Sequence, residues 1–263
     1  MSKYGHRTGN WLESVINKIG GEDRAEALLR GEWMLVEVNP PVVIEEVPLP
    51  TALDWRVTYK ILGVEPEEYD AKIAGLEMGD RMGRWTVPVL DFFRRDGDEE
   101  IRLVTLNKVR DALHQIGAKA KPKFAAKSWY ADMDTAFADD QVKNIKRNDR
   151  NPYRDGSYVV DVEATVEPPV NANQDANWRR SQGLVDTTHL EDWLLELAYH
   201  ITTGGHLNVA RWTKSGGSRV SYGLVPCLFF DSGDGKVYGY DCSPDHSGGP
   251  VCARSAVPRQ LAS

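Results

Sequence analysis

Apolar residues recur along this chain in two rhythms, and each predicts a different element. Near the N-terminus Trp11, Leu12, Val15, Ile16 and Ile19 follow the spacing of one helix face, and Gly20-Gly21 end that run. Glu22-Asp23 place acids in the first turn of a second helix through Ala25, Leu28 and Leu29, with Arg30 in its last turn, as the helix dipole favours. A helical hairpin is therefore expected over 1–38. Four prolines within 39–50 forbid a helix and suit an extended connector, the first domain boundary. Beyond it Trp55, Val57 and Tyr59 alternate like a short strand, 66–74 reads as a helix and 85–90 as extended. A polar turn at 96–100 leads to a helix with Leu106, Val109, Leu113 and Ile116 on one face and Gly117 at its end.

The strand rhythm is clearest after the turn 151–156. Over 157–167 Tyr158, Val160, Val162, Ala164 and Val166 point one way, while Asp161, Glu163, Thr165 and Glu167 point the other, which predicts a half-buried antiparallel strand. Residues 168–183 are polar and read as a loop and a second candidate boundary. Thr188 and Glu191 have the spacing of a capping box, opening a helix whose Leu190, Trp193, Leu194, Leu197, Ala198 and Ile201 form one apolar stripe up to the stop at 202–205. Strands follow at 207–212, 220–230, 236–242 and 251–257, separated by glycine-rich turns such as Ser232-Gly233-Asp234-Gly235. The chain thus reads as α+β: a helical hairpin (1–38), a mixed α/β segment (39–155), and an antiparallel sheet with one packed amphipathic helix (156–263).

Two stretches also carry a resemblance. Ile19-Gly20-Gly21-Glu22 running into Leu28-Leu29-Arg30-Gly31-Glu32, and Leu190-Glu191 running through Leu194-Leu195-Glu196-Leu197 to Thr203-Gly204-Gly205-His206-Leu207, resemble a family of uncharacterised short proteins from candidate-phyla bacteria. Ser218-Arg219, Val225-Pro226, Val237 to Tyr240 and Arg254 to Val257 are similar to the way members of that family end. The resemblance covers roughly the first 35 and the last 110 residues, implies a small bacterial protein, and transfers no catalytic residue or cofactor.

With 263 residues, 41% of them hydrophobic and 27% charged, the chain is long enough to bury a core without metal or disulfide staples. No apolar run reaches the roughly 20 residues of a membrane span, and the opening residues lack the apolar core of a secretion signal, so a cytoplasmic protein with no membrane partner is expected. The net charge of -7 is uneven: 1–107 carries -7, 108–154 carries +5 and 155–263 carries -5. That basic island holds Lys121, Lys123, Lys127, Lys146, Arg147 and Arg150 among Phe124, Trp129 and Tyr130, a mixture suited to phosphates and stacked bases. The N-terminal hairpin has the outline of a DNA-reading helix-turn-helix, but Glu22, Asp23, Glu26 and Glu32 would repel phosphates.

Other motifs fall short of a chemistry. The run from Cys242 to Cys252 resembles the nucleophile loop of chymotrypsin-like serine proteases, yet His246 stands where that family has an aspartate before its serine, Ser247 here, and the upstream histidine motif is missing. Among Cys227, Cys242, Cys252 and His246 only Cys242 and His246 form the close pair that zinc sites repeat, so the spacing is against a zinc site. A Cys242–Cys252 disulfide fits a hairpin, and buried free thiols are the favoured reading. Asp231 and Asp234 lack the ligand spacing of a calcium loop. His206, Arg211, Trp212, Arg219 and Tyr222 form a candidate pocket for a sugar or an anion at the sheet edge. The expectation that emerges is a non-enzymatic binding or assembly module, without cofactor or metal, that takes a protein partner or a second copy of itself. The alternatives are nucleic-acid association through 119–154, including Trp129, and an enzyme of unfamiliar type near His206 and Arg219.

Overall fold

In the computed structural model the described residues are 49–79, 81–128, 145–169, 174–220, 223–246 and 251–259. The predicted hairpin over 1–38 lies outside them, as do Trp129, Tyr130, Tyr222 and Ser247. In chain order the elements are α1 (Trp55–Ile61), α2 (Pro66–Ile73), β1 (Arg84–Val89), β2 (Phe93–Asp96), β3 (Glu99–Arg102), α3 (Leu106–Lys119), β4 (Ala125–Ser128), β5 (Ile145–Asn148), α4 (Pro152–Asp155), β6 (Tyr158–Glu163), α5 (Ala176–Ser181), α6 (His189–Thr203), β7 (Trp212–Lys214), β8 (Ser218–Val220), β9 (Val225–Asp231), β10 (Lys236–Cys242), β11 (Val251–Ala253) and β12 (Ala256–Arg259). The fold is α+β. Among the described residues no helix is long and apolar enough to cross a membrane.

The centre of the structure is α6. Thr188 caps it by accepting the Glu191 N–H at 3.4 Å, Glu191 returns a bond to the Thr188 N–H at 2.8 Å, and Gly204 closes it at φ +73°, a conformation that favours glycine. On one side lies a three-stranded antiparallel sheet in the order β1-β6-β12, which presents Trp85, 5.6 Å from the Tyr199 ring, and Tyr158. On the other lies a five-stranded sheet in the order β11-β7-β9-β10-β4. Gly239 of β10 approaches the helix so closely that a Cβ there would sit 3.2 Å from both His189 and Trp193. A helix between two sheets has no solvent side, and eleven residues of α6 are buried, charged ones included. The amphipathic stripe read from the sequence was therefore only part of its buried surface.

The larger sheet is mixed rather than antiparallel: β4 runs parallel to β10 and β11 parallel to β7. The apolar run at 251–257 is two strands, because the chain leaves the five-stranded sheet at Arg254-Ser255 and joins the three-stranded one as β12. Strand 157–167 shortens to β6, the middle strand of its sheet, covered on both faces. Asp161, expected to face solvent, is fully buried and holds Arg259 at 2.6 Å and Arg81 at 3.2 Å. Residues 55–59 are helical, not extended. Trp55, Tyr59 and Leu62 are buried at helical spacing, the Asp54 carboxylate caps the Val57 N–H at 3.0 Å, and Val57 points outward. The predicted loop 168–183 contains α5, capped by Asp175. The boundary drawn at 155 does not separate two bodies, since β1 pairs with β6 and β4 with β10 across it. The helices at 66–73 and 106–119, and the strands at 84–89 and 236–242, form where the sequence places them.

The chain turns sharply after α3, where β4 begins. Gly117 lies inside the last turn of α3, and a Cβ there would strike the Phe124 carbonyl and come within 2.8 Å of its ring. Gly117→Ala is expected to destabilise the fold by about 1–3 kcal/mol through overpacking, read as a lower denaturation midpoint with an unchanged slope.

Candidate functional site

Burying α6 puts its polar side chains into a dry interior, and each finds a partner there. Glu191 accepts two bonds from the Arg150 guanidinium at 2.8 and 2.7 Å and one from the Tyr158 hydroxyl at 2.9 Å. Glu196 accepts from His206 at 2.7 Å and from the Leu207 N–H at 2.9 Å. His189, Ser215 and Asp192 stand in line, a serine-histidine-aspartate constellation that the sequence reading did not single out. Its polarity is wrong for a nucleophile. The Trp193 indole N–H donates to His189 Nε2 at 3.1 Å, so Nδ1 carries the imidazole hydrogen and donates it to Ser215 Oγ at 3.0 Å; Ser215 in turn donates to Asp192 at 2.5 Å. A catalytic serine needs the opposite direction, with histidine as its base and open access for a substrate. Here His189, Ser215 and Asp192 are all buried, and burial pushes the His189 pKa down to about 3 and the Asp192 pKa up to about 7.

The candidate residues disperse. His206 stacks on Phe230 at 3.8 Å, whereas Trp212 stacks on Phe229 at 4.2 Å. Neighbours in a strand point to opposite faces, so His206 and Trp212 lie on opposite sides of the five-stranded sheet. Arg219 sits on β8, opposite Arg147 of β5, and donates to the Gly216 and Ser218 carbonyls at 2.7 and 2.8 Å. Burial first, and Arg147 second, lower its pKa. The Arg211 backbone N–H is bound by Glu167 at 2.8 Å. These residues do not line one pocket. In the basic island Phe124 is buried against the rings of His200 and His206 rather than open for stacking, and Arg150 is committed to Glu191. Lys146 and Arg147 are exposed on β5. Lys121, Lys123 and Lys127 are exposed around the start of β4, with no ion-pair partner among the described residues.

What the fold assembles instead is the outer face of the five-stranded sheet. The registers place Val251, Trp212, Phe229, Tyr238 and Lys127 in one row, one residue from each strand. Trp212 and Phe229 are nearly parallel, with 8° between their planes, and Tyr238 follows 5.4 Å from Phe229. Lys236 lies 5.8 Å from the centre of the Tyr238 ring, and Asp234 holds both the Tyr238 hydroxyl and the Lys236 ammonium. Tyr240, two residues on and on the same face, is 43% exposed. Lys127 also lines a cleft of about 490 Å³ between α3 and β4, with Arg110 and His114 on the helix side. The period-two placement of Lys236, Tyr238 and Tyr240 was legible in the sequence. The strand order that brings Trp212, Phe229 and Lys127 alongside them was not.

Cys227 and Cys242 are also on the outer face, with sulfurs 2.8 Å apart, while Cys252, opposite Thr213, is on the inner face. The Cys242–Cys252 pairing that the sequence left as an alternative to free thiols is thus excluded by sheet parity, and all three cysteines are free. Among the described residues no three or more His, Cys, Asp or Glu side chains gather as a metal site.

Two outcomes follow from the buried partners. Arg150→Ala leaves Glu191 charged and buried and is expected to cost about 3–5 kcal/mol of stability, measured by chemical denaturation. Folded Asp192 holds its proton up to about pH 7, above the ordinary carboxylate range, so its contribution to stability is full in acid and declines as pH rises through that window. Asp192→Asn should therefore match the parent near about pH 4 and exceed it by a few kcal/mol near about pH 8 in a denaturation series. No protein-family model, curated protein or solved structure matches this chain.

Proposed function

We propose that this chain is a non-enzymatic binding module whose contact surface is the outer face of the five-stranded sheet, and that its ligand is single-stranded nucleic acid. The observation that carries this reading is the cross-strand row Trp212, Phe229, Tyr238 and Lys127, which sets three rings in file beside a lysine without an ion-pair partner among the described residues. Single strands are held by this combination: aromatic rings accept bases without regard to sequence, and ammonium groups track the backbone. Lys121 and Lys123 flank the same end of the row, because the Ala125 N–H bonds the Gly235 carbonyl and ties the start of β4 to the tip of the β9–β10 hairpin. The exposed Tyr240 ring extends the apolar surface along β10.

The absence of a nucleophile is not what supports a binding role. The support is that the serine, histidine and carboxylates closest to a catalytic arrangement are consumed in holding α6, while the outer face of the five-stranded sheet carries half-buried rings, the exposed Tyr240 and the exposed Lys127. In this reading the basic island contributes through Lys121, Lys123 and Lys127, and Arg150 has no part in it.

The test is an anisotropy titration of labelled oligothymidylate across a salt series, followed on Tyr238→Ala and Lys127→Ala. Affinity is expected to fall with rising salt, with a log–log slope of about -0.7 for each phosphate contacted. Tyr238→Ala should lose roughly 1–3 kcal/mol of binding at all salt concentrations, and Lys127→Ala should flatten the salt slope. An unsaturable signal at low salt, or binding unchanged in both variants, would overturn the reading.

A further inference from the structure

Beside the aromatic row the outer face carries a second feature that nucleic-acid binding does not use. Cys227 on β9 lies opposite Tyr240, and Cys242 is two residues further along β10, so the two side chains are diagonal neighbours on the same face of adjacent antiparallel strands. Both are free thiols, and their sulfurs lie 2.8 Å apart. The pair is asymmetric. Cys227 is fully buried, whereas Cys242 is partly exposed where β10 ends. Lys214, register partner of Cys227 on β7, is buried beside them and donates its ammonium to the His246 carbonyl, and Cys252 is turned away on the other face.

We propose that Cys227 and Cys242 form a dithiol–disulfide couple, in which Cys242 is the attacking thiol and Cys227 the resolving thiol, oxidised by a small-molecule disulfide of the glutathione class. In the first step the Cys242 thiolate attacks one sulfur of the oxidant, the oxidant's S–S bond breaks, and one thiolate departs and takes up a proton. In the second, Cys227 gives up its proton to the solvent, its sulfur attacks Cys242 Sγ, and the remaining half of the oxidant leaves as the second thiol. Two protein thiols are oxidised to one disulfide, and one small disulfide is reduced to two thiols. The division of roles follows from access and charge. A reagent reaches Cys242 and not Cys227, and thiol exchange proceeds through the thiolate. The bond from Cys227, together with Lys214 and Arg219, holds the Cys242 thiol below its ordinary pKa, while burial pushes the Cys227 thiol up. Lys214, register partner of Cys227, adds a positive charge that favours the Cys242 thiolate.

The experiment is exposure of the reduced full-length chain to glutathione disulfide, then denaturation, alkylation and intact-mass and peptide analysis. The expected result is loss of two hydrogen masses, a crosslink between the peptides carrying Cys227 and Cys242, alkylation at Cys252 alone, and reversal by dithiothreitol. Cys227→Ser should stop at the first step and accumulate one glutathione adduct on Cys242, and Cys242→Ser should take up none at Cys227. Retention of all three alkylatable thiols in the parent, or a crosslink that includes Cys252, would overturn the couple. The parent measurement needs no variant to fold, so failure of a variant leaves the test intact.

Discussion

The structure depends on one helix having no solvent side. Because α6 lies between the three-stranded and five-stranded sheets, the apolar side chains that drive its burial, Trp193, Leu194, Leu195 and Leu197, bring Glu191, Asp192, Glu196 and His189 into the interior with them. Fully burying each large apolar side chain contributes about 1.5–3 kcal/mol, but one charged group left unpaired in the same space would cancel that gain. Much of the remaining fold is the answer to that constraint. Arg150 arrives from the segment between β5 and α4, Tyr158 from β6, His206 from the turn after the helix, and Ser215 from the turn after β7, each to satisfy one residue of α6.

The same pressure acts where the chain passes between the sheets. Arg254 is buried at the step from β11 to β12 and donates to the carbonyls of Glu163 and Thr165 at 2.8 and 3.0 Å, groups left without strand partners where β6 ends. Arg259 and Asp161 play the corresponding part across the outer side of the three-stranded sheet, joined by Thr86. Such pairs contribute little net stability over apolar replacements, yet removal of either member leaves a buried charge.

A consequence concerns where chemistry can reside. Residues that look reactive in the sequence, His189, His200, His206, the acids of α6 and Arg150, are held in structural bonds, and the serine-histidine-aspartate line runs its protons the wrong way for a nucleophile. The outer face of the five-stranded sheet is left with groups whose valence is not used up in this way: a file of rings, lysines at its edge, and two thiols in contact. The proposed recognition and redox roles both lie on that face, where the side chains are not committed to holding α6.

Local rules were legible in the sequence itself. The capping box at Thr188, the proline start at Pro66, the apolar period of 106–119 and the alternation of 236–242 depend on neighbours within a few residues, and those elements form where the pattern puts them. A short window failed at 55–59, where a two-residue alternation hid the helical spacing completed by Leu62. The partners of polar groups lay beyond any local rule. Glu191 and Arg150 are separated by 41 positions, Asp161 and Arg259 by 98. Alternation defines two faces of a strand but not which face is covered, so only tertiary packing decided that α6 is buried on every side, that Phe124 faces inward, that Cys227 meets Cys242 and not Cys252, and that Trp212, Phe229, Tyr238 and Lys127 share one row. These are statements about strand order and layer contact, which bring together residues whose separation along the chain carries no periodic signal.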